Sequence, residues 1–159
     1  MTNDNFVCAV ERNHKRLFII ALSYTKNHQD AEDILQNVFL KLWKHNREFT
    51  EENHMDKWLT RVCINECKNY IKLPFKKNTS LDEAAQLYTF DKPRDFDVFN
   101  ALMSLPRKEH TAIVLFYYED MSTKEIAKLL NIKEPTIKTR LRRGRMKLKE
   151  ILGEDWIYE

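Results

Sequence analysis

Glycine is nearly absent from this chain, and its scarcity excludes whole classes of site. Only Gly144 and Gly153 occur among 159 residues. Loops that cradle phosphates, and the sharp turn that presents a serine nucleophile, need several glycines at fixed spacing. Neither motif can be built here, so the sequence gives no indication of an enzyme.

Cysteines are also few. Cys8, Cys63 and Cys67 are an odd number in a chain with no secretory pattern, so a disulfide framework is not expected. Cys63 and Cys67 lie four apart and could share one helix face as half of a metal site. No second pair of ligands stands at a suitable spacing, so buried thiols are favoured and no metal or other cofactor is expected.

Long apolar runs are missing as well. The opening MTNDNFVCAVER lacks the apolar segment of a signal peptide, and no stretch is long enough to span a bilayer. We expect a cytoplasmic protein that does not insert directly into a membrane.

The scarcity of helix breakers favours an all-α fold. The chain has two glycines and four prolines, long segments of helical periodicity and few alternating segments. The first half predicts three helices packed as a bundle, over residues 6–26, from a cap at Asp30 to residue 45, and over 55–72. Trp43 and Trp58 fall on their apolar faces.

The second half predicts a separate helical domain. Periodicity weakens between Pro74 and Pro93, which indicates a linker with one short helical stretch at 81–87. A helix from about Phe96 ends before Pro106, and another covers 107–118. The predicted organisation is two small helical domains, 1–73 and 96–159, joined by a linker at 74–95. The second is a four-helix helix-turn-helix domain.

The helix-turn-helix is predicted from the run between Ser122 and Leu148. Ser122 and Glu125 have the spacing of a capping box, and Asn131 tolerates the left-handed backbone of a tight turn. Pro135 costs little in the opening turn of the next helix. The buried stripe of that helix consists of Ile137, Leu141, Gly144 and Leu148, and Gly144 permits a close helix crossing.

Positive charge is concentrated on this second helix. From Lys133 to Lys149 there are eight Lys and Arg and the single Glu134, a local net charge of +7, whereas the whole chain carries +3. Basic amphipathic helices also bind membranes or calmodulin-like proteins, but those functions do not need a capped helix and turn in front. DNA is therefore the favoured partner.

Two motifs together resemble a known family. DAEDILQNVFLKLW in the first domain and LP…EIAKLLNIKEPTIKTRLRRGRMKL in the second closely resemble a bacterial RNA polymerase sigma factor of the sigma-70 family, extracytoplasmic-function type. The resemblance implies a protein that binds core polymerase and directs promoter-specific initiation, by recognising duplex DNA at minus thirty-five and melted DNA at minus ten. A small-molecule substrate is not implied.

The resemblance also implies roles for particular residues. One helix would dock on the clamp helices of the largest polymerase subunit through Asp30, Asp33, Gln36 and Asn37, the last standing where Glu is usual. The melted minus-ten strand would meet Trp58, Arg61, Asn65, Lys68 and Lys72. The minus-thirty-five duplex would meet Thr136, Lys138, Thr139, Arg142 and Arg143.

Several positions depart from the family pattern. Ile64 and Asn69 stand where Arg and Asp are usual, and Lys72 replaces another Arg, which puts base-specific contacts at minus ten in doubt. Pro135 replaces a common Gly and Gly144 a common Ala. The resemblance also implies an anti-sigma factor as a partner, and no residue of the sequence is assigned to binding it.

Two other functions stay open from the residues alone. A free-standing helix-turn-helix regulator would use its first domain to dimerise or sense a ligand, and would bind a palindromic site without polymerase. An adaptor would use the basic helix to contact an acidic partner. Neither has an evident reason to carry the DAEDILQNVFLKLW helix.

Overall fold

The computed structural model of this protein describes residues 1–45, 48–73 and 93–153, without the side chains of 93–96. The chain divides into two compact units at the boundary between Ser80 and Leu81. We refer to them as the N-terminal and C-terminal units and describe each by itself. Every regular element in the described ranges is helical, which confirms the all-α class.

Three helices make up the described residues of the N-terminal unit. These are α1 (Asn3–Thr25), α2 (His28–Trp43) and α3 (Glu52–Ile71). The Thr2 hydroxyl caps α1 by accepting from the Asn5 N–H at 3.2 Å. The helix ends at Lys26, which adopts a left-handed conformation with φ of 51°. Each helix packs against the other two, so the expected bundle is confirmed.

The prediction that Asp30 caps the second helix was wrong. Asn27 is the cap, because its Oδ1 accepts from the Asp30 N–H at 2.9 Å, and α2 therefore begins at His28. Asn and Asp are comparable caps, so residue type alone could not choose between them. The left-handed turn at Lys26 selects Asn27, while Asp30 becomes a first-turn carboxylate that complements the helix dipole.

Large aliphatic and aromatic side chains from all three helices form the core of the N-terminal unit. The fully buried ones include Leu17, Phe18, Ile20, Leu22, Leu35, Leu42, Leu59 and Ile64. The prediction that Trp43 is buried was wrong, since it is 49% exposed. Its ring lies edge-on to Phe6 with centroids 5.0 Å apart, so the beginning of α1 covers part of the end of α2.

A buried polar tie fixes α3 against α1. The Arg16 guanidinium donates to Thr60 Oγ1 at 2.5 Å and to the Asp56 carbonyl at 3.2 Å. It also donates to Asn13 Oδ1 at 2.6 Å. Because these groups would be costly to leave unpaired away from water, the tie holds α3 in one orientation on the bundle.

The described part of the C-terminal unit contains four α-helices. They are α4 (Pro93–Ser104), α5 (Arg107–Ile113), α6 (Thr123–Leu130) and α7 (Glu134–Leu152), and a π-helical turn, Val114–Tyr118, continues α5. The helix predicted from Phe96 thus begins at Pro93 and, as predicted, ends before Pro106. The short stretch predicted at 81–87 lies outside the described residues.

The turn between α6 and α7 has the predicted geometry. Ser122 and Glu125 form a complete capping box, with the Glu125 N–H 3.0 Å from Ser122 Oγ and the Ser122 N–H 3.3 Å from Glu125 Oε1. Asn131 is left-handed with φ of 57°, and the next N–H, of Ile132, reaches the Ala127 carbonyl at 2.9 Å. These bonds satisfy the end of α6 while reversing the chain.

Gly144 allows α7 to pack closely on α5. A Cβ at this position would lie 2.8 Å from Ile113 Cγ1, which is closer than non-bonded carbon atoms approach. The close crossing expected at Gly144 is therefore present. Ile126, Ile137 and Leu141 are buried beside it and join the two helices of the motif to the core.

Candidate functional site

One side of α2 is exposed along its whole length. Asp33, Gln36 and Asn37 are exposed there, and the same side continues through Leu40 and Trp43, which are 52% and 49% exposed. We call these five residues the α2 face. Asp33 accepts a hydrogen bond from Gln29 Nε2 at 3.1 Å within the helix. The α2 face is therefore polar at one end and apolar at the other.

Asp30 is engaged within the N-terminal unit. Its Oδ2 accepts from the Tyr70 hydroxyl at 2.9 Å, a contact that joins the beginning of α2 to the end of α3. Asp30 is half-buried and Tyr70 is buried. Asp30 thus has a partner on another helix, whereas the partner of Asp33 lies within α2.

We predict that this contact makes the N-terminal unit sensitive to alkali. Burial, and then the bond to Asp30, raise the pKa of Tyr70 to about 12. A folded-state pKa raised above the ordinary value of about 10 means that the stabilisation is complete below pH 10 and is lost as the pH rises through 12. Urea denaturation at pH 8 and pH 11 should show a smaller alkaline loss in Tyr70→Phe than in the wild type. Equal losses in both proteins would contradict the prediction.

A stripe along α3 gathers the residues expected to meet a single strand. They recur at intervals of three and four, which places them on one side of the helix: Trp58, Arg61, Asn65, Lys68 and Lys72. We call this set the α3 stripe. Arg61, Asn65 and Lys72 are exposed, whereas Trp58 and Lys68 are half-buried. The stripe therefore presents cationic and amide donors beside one indole ring.

Aromatic neighbours surround Trp58. His45 packs edge-on against its ring with centroids 4.7 Å apart, and Phe49 lies at 5.6 Å. His45 and Phe49 also stack on each other at 4.7 Å. Trp58 is therefore part of an aromatic cluster but keeps some of its surface in solvent. It is neither fully buried, as a core residue would be, nor fully exposed.

The structure accounts for the departure at Ile64. Its side chain is completely buried among α1, α2 and α3, whereas the neighbouring Asn65 is exposed. Asn69 and Lys72 are both exposed. The family pattern has an Arg–Asn pair at positions 64 and 65. In this protein residue 64 is buried and residue 65 is exposed, so only Asn65 of the two can contact a ligand.

The cysteine pair is packed in the core. Cys63 and Cys67 are both fully buried with free thiols, and Cys8 is exposed with a free thiol. Cys63 donates weakly to the Leu17 carbonyl at 3.7 Å, and burial raises the pKa of the Cys67 thiol well above its ordinary value. Within the described ranges, no group of three His, Cys, Asp or Glu side chains could hold a metal ion.

The basic helix α7 carries exposed positive charge. Arg142 and Arg143 are exposed and have no hydrogen-bond or ion-pair partner among the described residues. Lys138 is exposed and pairs with Glu134 one turn earlier at 3.7 Å, an exposed contact that is worth little. We call Thr136, Lys138, Thr139, Arg142 and Arg143 the basic face.

The two threonines of the basic face differ. Thr136 is exposed in the first turn of α7, while Thr139 is half-buried and its hydroxyl donates to the Pro135 carbonyl at 3.1 Å. The beginning of α7 is tied to the beginning of α6, because the Thr123 hydroxyl donates to Glu134 Oε1 at 2.8 Å. The first turn of α7 therefore projects from a fixed position, which a helix that reads base edges needs.

Sequence reasoning missed two features of these surfaces. Leu40 and Trp43 extend the α2 face, and their spacing from Gln36, four and seven residues, was a signal that could have found them. Tyr117 and Arg145 are 28 residues apart in the sequence, and no local pattern indicates the contact between them.

No helix in the described part of the chain is long and apolar enough to cross a membrane.

Comparison with known proteins gives matches in both units. The family described as Sigma-70 region 2 matches residues 9–73, and the one described as Sigma-70, region 4 matches residues 96–148. RNA polymerase sigma factor SigV of Bacillus subtilis is 29% identical over 135 residues, which cover 82% of this chain and 81% of that protein. ECF RNA polymerase sigma factor SigM of Mycobacterium tuberculosis is 27% identical over 150 residues, 89% of this chain and 74% of that protein.

Two solved structures share the fold. One is CnrH in complex with the cytosolic domain of CnrY, with a TM-score of 0.60 and 24% identity over 95% of this chain and 89% of that chain. The other is the sigma factor RpoE in complex with the anti-sigma factor NepR from Bartonella quintana. It has a TM-score of 0.65 and 22% identity over 95% of this chain and 98% of that chain.

Proposed function

Because this chain belongs to the sigma-70 family, as an RNA polymerase sigma factor of the extracytoplasmic-function type, we propose that its two units divide promoter recognition between them. The protein binds core RNA polymerase and directs promoter-specific transcription initiation. We propose residues 1–73 and 96–159 as the two working domains, with 74–95 as the linker.

The α2 face is proposed as the surface that docks on the clamp helices of the largest polymerase subunit. Asp33, Gln36 and Asn37 are exposed and project from one side of a rigid helix. Exposed acidic and amide groups of this kind give orientation and specificity to a protein interface. Asp30 contributes by fixing the beginning of α2 through Tyr70, in addition to any contact that its second oxygen makes.

The α3 stripe is proposed to hold the melted minus-ten strand. Arg61 and Lys72 supply phosphate contacts, Asn65 supplies an amide for a base edge, and Lys68 adds charge. The exposed part of Trp58 offers a stacking surface. Since Ile64 is buried, we expect base reading here to rest on Asn65 rather than on an Arg–Asn pair.

The basic face is proposed to hold the minus-thirty-five duplex. Thr136, Lys138 and Thr139 lie in the opening turns of α7, where base edges of the major groove come within reach. Arg142 and Arg143 lie one turn further on and pair with phosphates. The observation that carries this proposal is the exposure of two guanidinium groups, without a partner among the residues that the structure describes, on the second helix of a capped helix-turn-helix.

We propose that the chain performs no covalent chemistry and works in the cytoplasm, where polymerase and chromosome are found. Nucleotide addition then belongs to the polymerase. An anti-sigma partner is also proposed, because the two structures of similar fold are complexes, one with the cytosolic domain of CnrY and one with the anti-sigma factor NepR. A free-standing regulator is not favoured, since residues 9–73 match Sigma-70 region 2.

A double substitution tests the DNA role of α7. Arg142→Ala with Arg143→Ala should lower initiation by reconstituted holoenzyme about thirtyfold or more at a promoter that the wild type uses, because each such contact is worth about 1 kcal/mol or more. Binding to core polymerase should stay unchanged. The measurement is run-off transcription together with co-migration on a sizing column.

The matched control is Lys44→Ala with Lys108→Ala. It removes two exposed positive charges outside the proposed surfaces and should leave initiation unaltered. Equal loss in both double variants would mean that only net charge matters, and would contradict the assignment.

A further inference from the structure

Arg145 is held by two aromatic side chains from another element. Its Nε donates to the Tyr117 hydroxyl at 2.6 Å. Its guanidinium carbon lies 5.6 Å from the centroid of the Tyr117 ring and 5.8 Å from that of Phe116. The two rings are themselves edge-on to each other, with centroids 5.0 Å apart. One hydrogen bond and two cation–π contacts thus restrict a long side chain.

The contacts leave the binding edge of the guanidinium open. Arginine has five N–H donors, and only the one on Nε is used here. Both Nη groups have no partner within the described residues, and Arg145 is exposed. The nearby Lys147 differs, because it is paired with the buried carboxylate of Glu109 at 3.2 Å. Arg145 therefore carries a charge that is oriented but not neutralised.

The position of Arg145 on α7 continues a row of cationic residues. Lys138, Arg142 and Arg145 follow one another at intervals of four and three, so they lie on the same side of the helix, and all three are exposed. A planar guanidinium with both Nη groups free matches two oxygens of one phosphate. Holding it in place beforehand reduces the side-chain entropy that binding would otherwise cost.

The π-helical turn brings the aromatic pair to this place. The Glu119 N–H bonds to the Val114 carbonyl at 3.2 Å, five residues back, so the last turn after α5 is wider than an α-helical turn. Such single turns are uncommon and often lie at functional sites. The Tyr117 ring is 51% exposed, so its main contact here is with Arg145 and it contributes little to the core.

We infer that Arg145 binds a DNA backbone phosphate and that Tyr117 is the positioning residue that holds it ready. The inference rests on the proposed DNA role of α7. It adds to the basic face a phosphate contact prepared from outside the helix-turn-helix. Base identity is not read at this point, so the contact strengthens binding to every duplex equally.

The test uses the full chain and a fluorescein-labelled duplex of 24 base pairs with mixed sequence, since phosphate contacts do not depend on sequence. Arg145→Ala should weaken binding about fivefold and lower the slope of log affinity against log salt concentration by about 0.9, the value for one phosphate contact. Arg145→Lys should keep the slope while losing about threefold in affinity, because it cannot bind two oxygens at once.

Tyr117→Phe separates positioning from mere stability. It keeps the ring and removes only the acceptor of the Arg145 bond, so affinity should fall about twofold with the slope unchanged, and the loss should vanish in the Arg145→Ala background. Lys44→Ala is the control for loss of one positive charge and should change neither quantity. Fluorescence anisotropy over a range of salt concentrations gives both values.

Two results overturn the inference in distinguishable ways. If Arg145→Ala lowers the unfolding temperature but leaves the salt slope as in the wild type, Arg145 only joins α7 to the π-helical turn, and the DNA role of α7 still holds. If the wild-type chain fails to bind the duplex at low salt, the DNA role proposed for α7 fails and the role of Arg145 fails with it.

Discussion

Ile64→Arg is expected to unfold the N-terminal unit. Ile64 is completely buried in the core of the N-terminal unit. A guanidinium there would lose its hydration without gaining a carboxylate, which costs about 4 kcal/mol or more. That is a large share of the stability of a small domain. Restoring the residue that the family pattern carries would therefore damage this protein.

Asn65→Arg is the matched control. It adds the same side chain one position along α3, where the side chain is exposed, and should change the free energy of unfolding by no more than about 0.5 kcal/mol. Urea denaturation followed by far-UV circular dichroism measures both variants. If Ile64→Arg were as stable as Asn65→Arg, the side chain at 64 would have access to solvent, and the packing of α3 described above would be wrong.

The second large effect is expected on polymerase binding. Asp33→Arg with Gln36→Ala reverses one charge and removes one amide at the polar end of the α2 face, where both positions are exposed. An unmatched charge in an interface opposes docking, and truncating the amide removes a polar contact. We expect the dissociation constant for core polymerase to rise about a hundredfold, or about 2.8 kcal/mol.

Glu11→Arg provides the comparison for this variant. It reverses one exposed acidic charge on α1 without touching the α2 face, and should bind core polymerase like the wild type. Titration of fluorescently labelled core polymerase gives both constants. Equal weakening by Glu11→Arg would indicate that overall charge governs the association, and normal binding by the α2 variant would remove the α2 face from the interface.

Local signals in the sequence were enough for the helix-turn-helix. Two of its features depend on residues within a few positions: the capping box of Ser122 and Glu125 and the left-handed turn at Asn131. The close helix crossing depends on the absence of a side chain at Gly144. Because these preferences agree with the fold around them, the pattern alone located α6 and α7.

Turn geometry and packing that arise only in the folded chain account for what the sequence did not reveal. Asn27 rather than Asp30 caps α2 because of the turn made by the preceding residue, Lys26. The exposure of Trp43 depends on how the folded bundle packs at the end of α2, which periodicity cannot indicate.

The same limit applies to the candidate sites. The exposed residues of α2, α3 and α7 follow from helical spacing, so their common orientation was predictable. Tyr70 with Asp30 and Tyr117 with Arg145 are joined across 40 and 28 residues, so they needed the folded structure. Both pairs add information about the sites: the first gives Asp30 a partner on α3, and the second shows what holds Arg145 in place.

The central claim is that this chain directs polymerase to particular promoters. We would reconstitute it with core RNA polymerase, transcribe fragmented genomic DNA from its own organism, and map the 5′ ends of the transcripts. The account predicts start sites that core polymerase alone does not use, preceded by one shared pair of elements near minus thirty-five and minus ten. A set of start sites identical to that of core polymerase alone would contradict it.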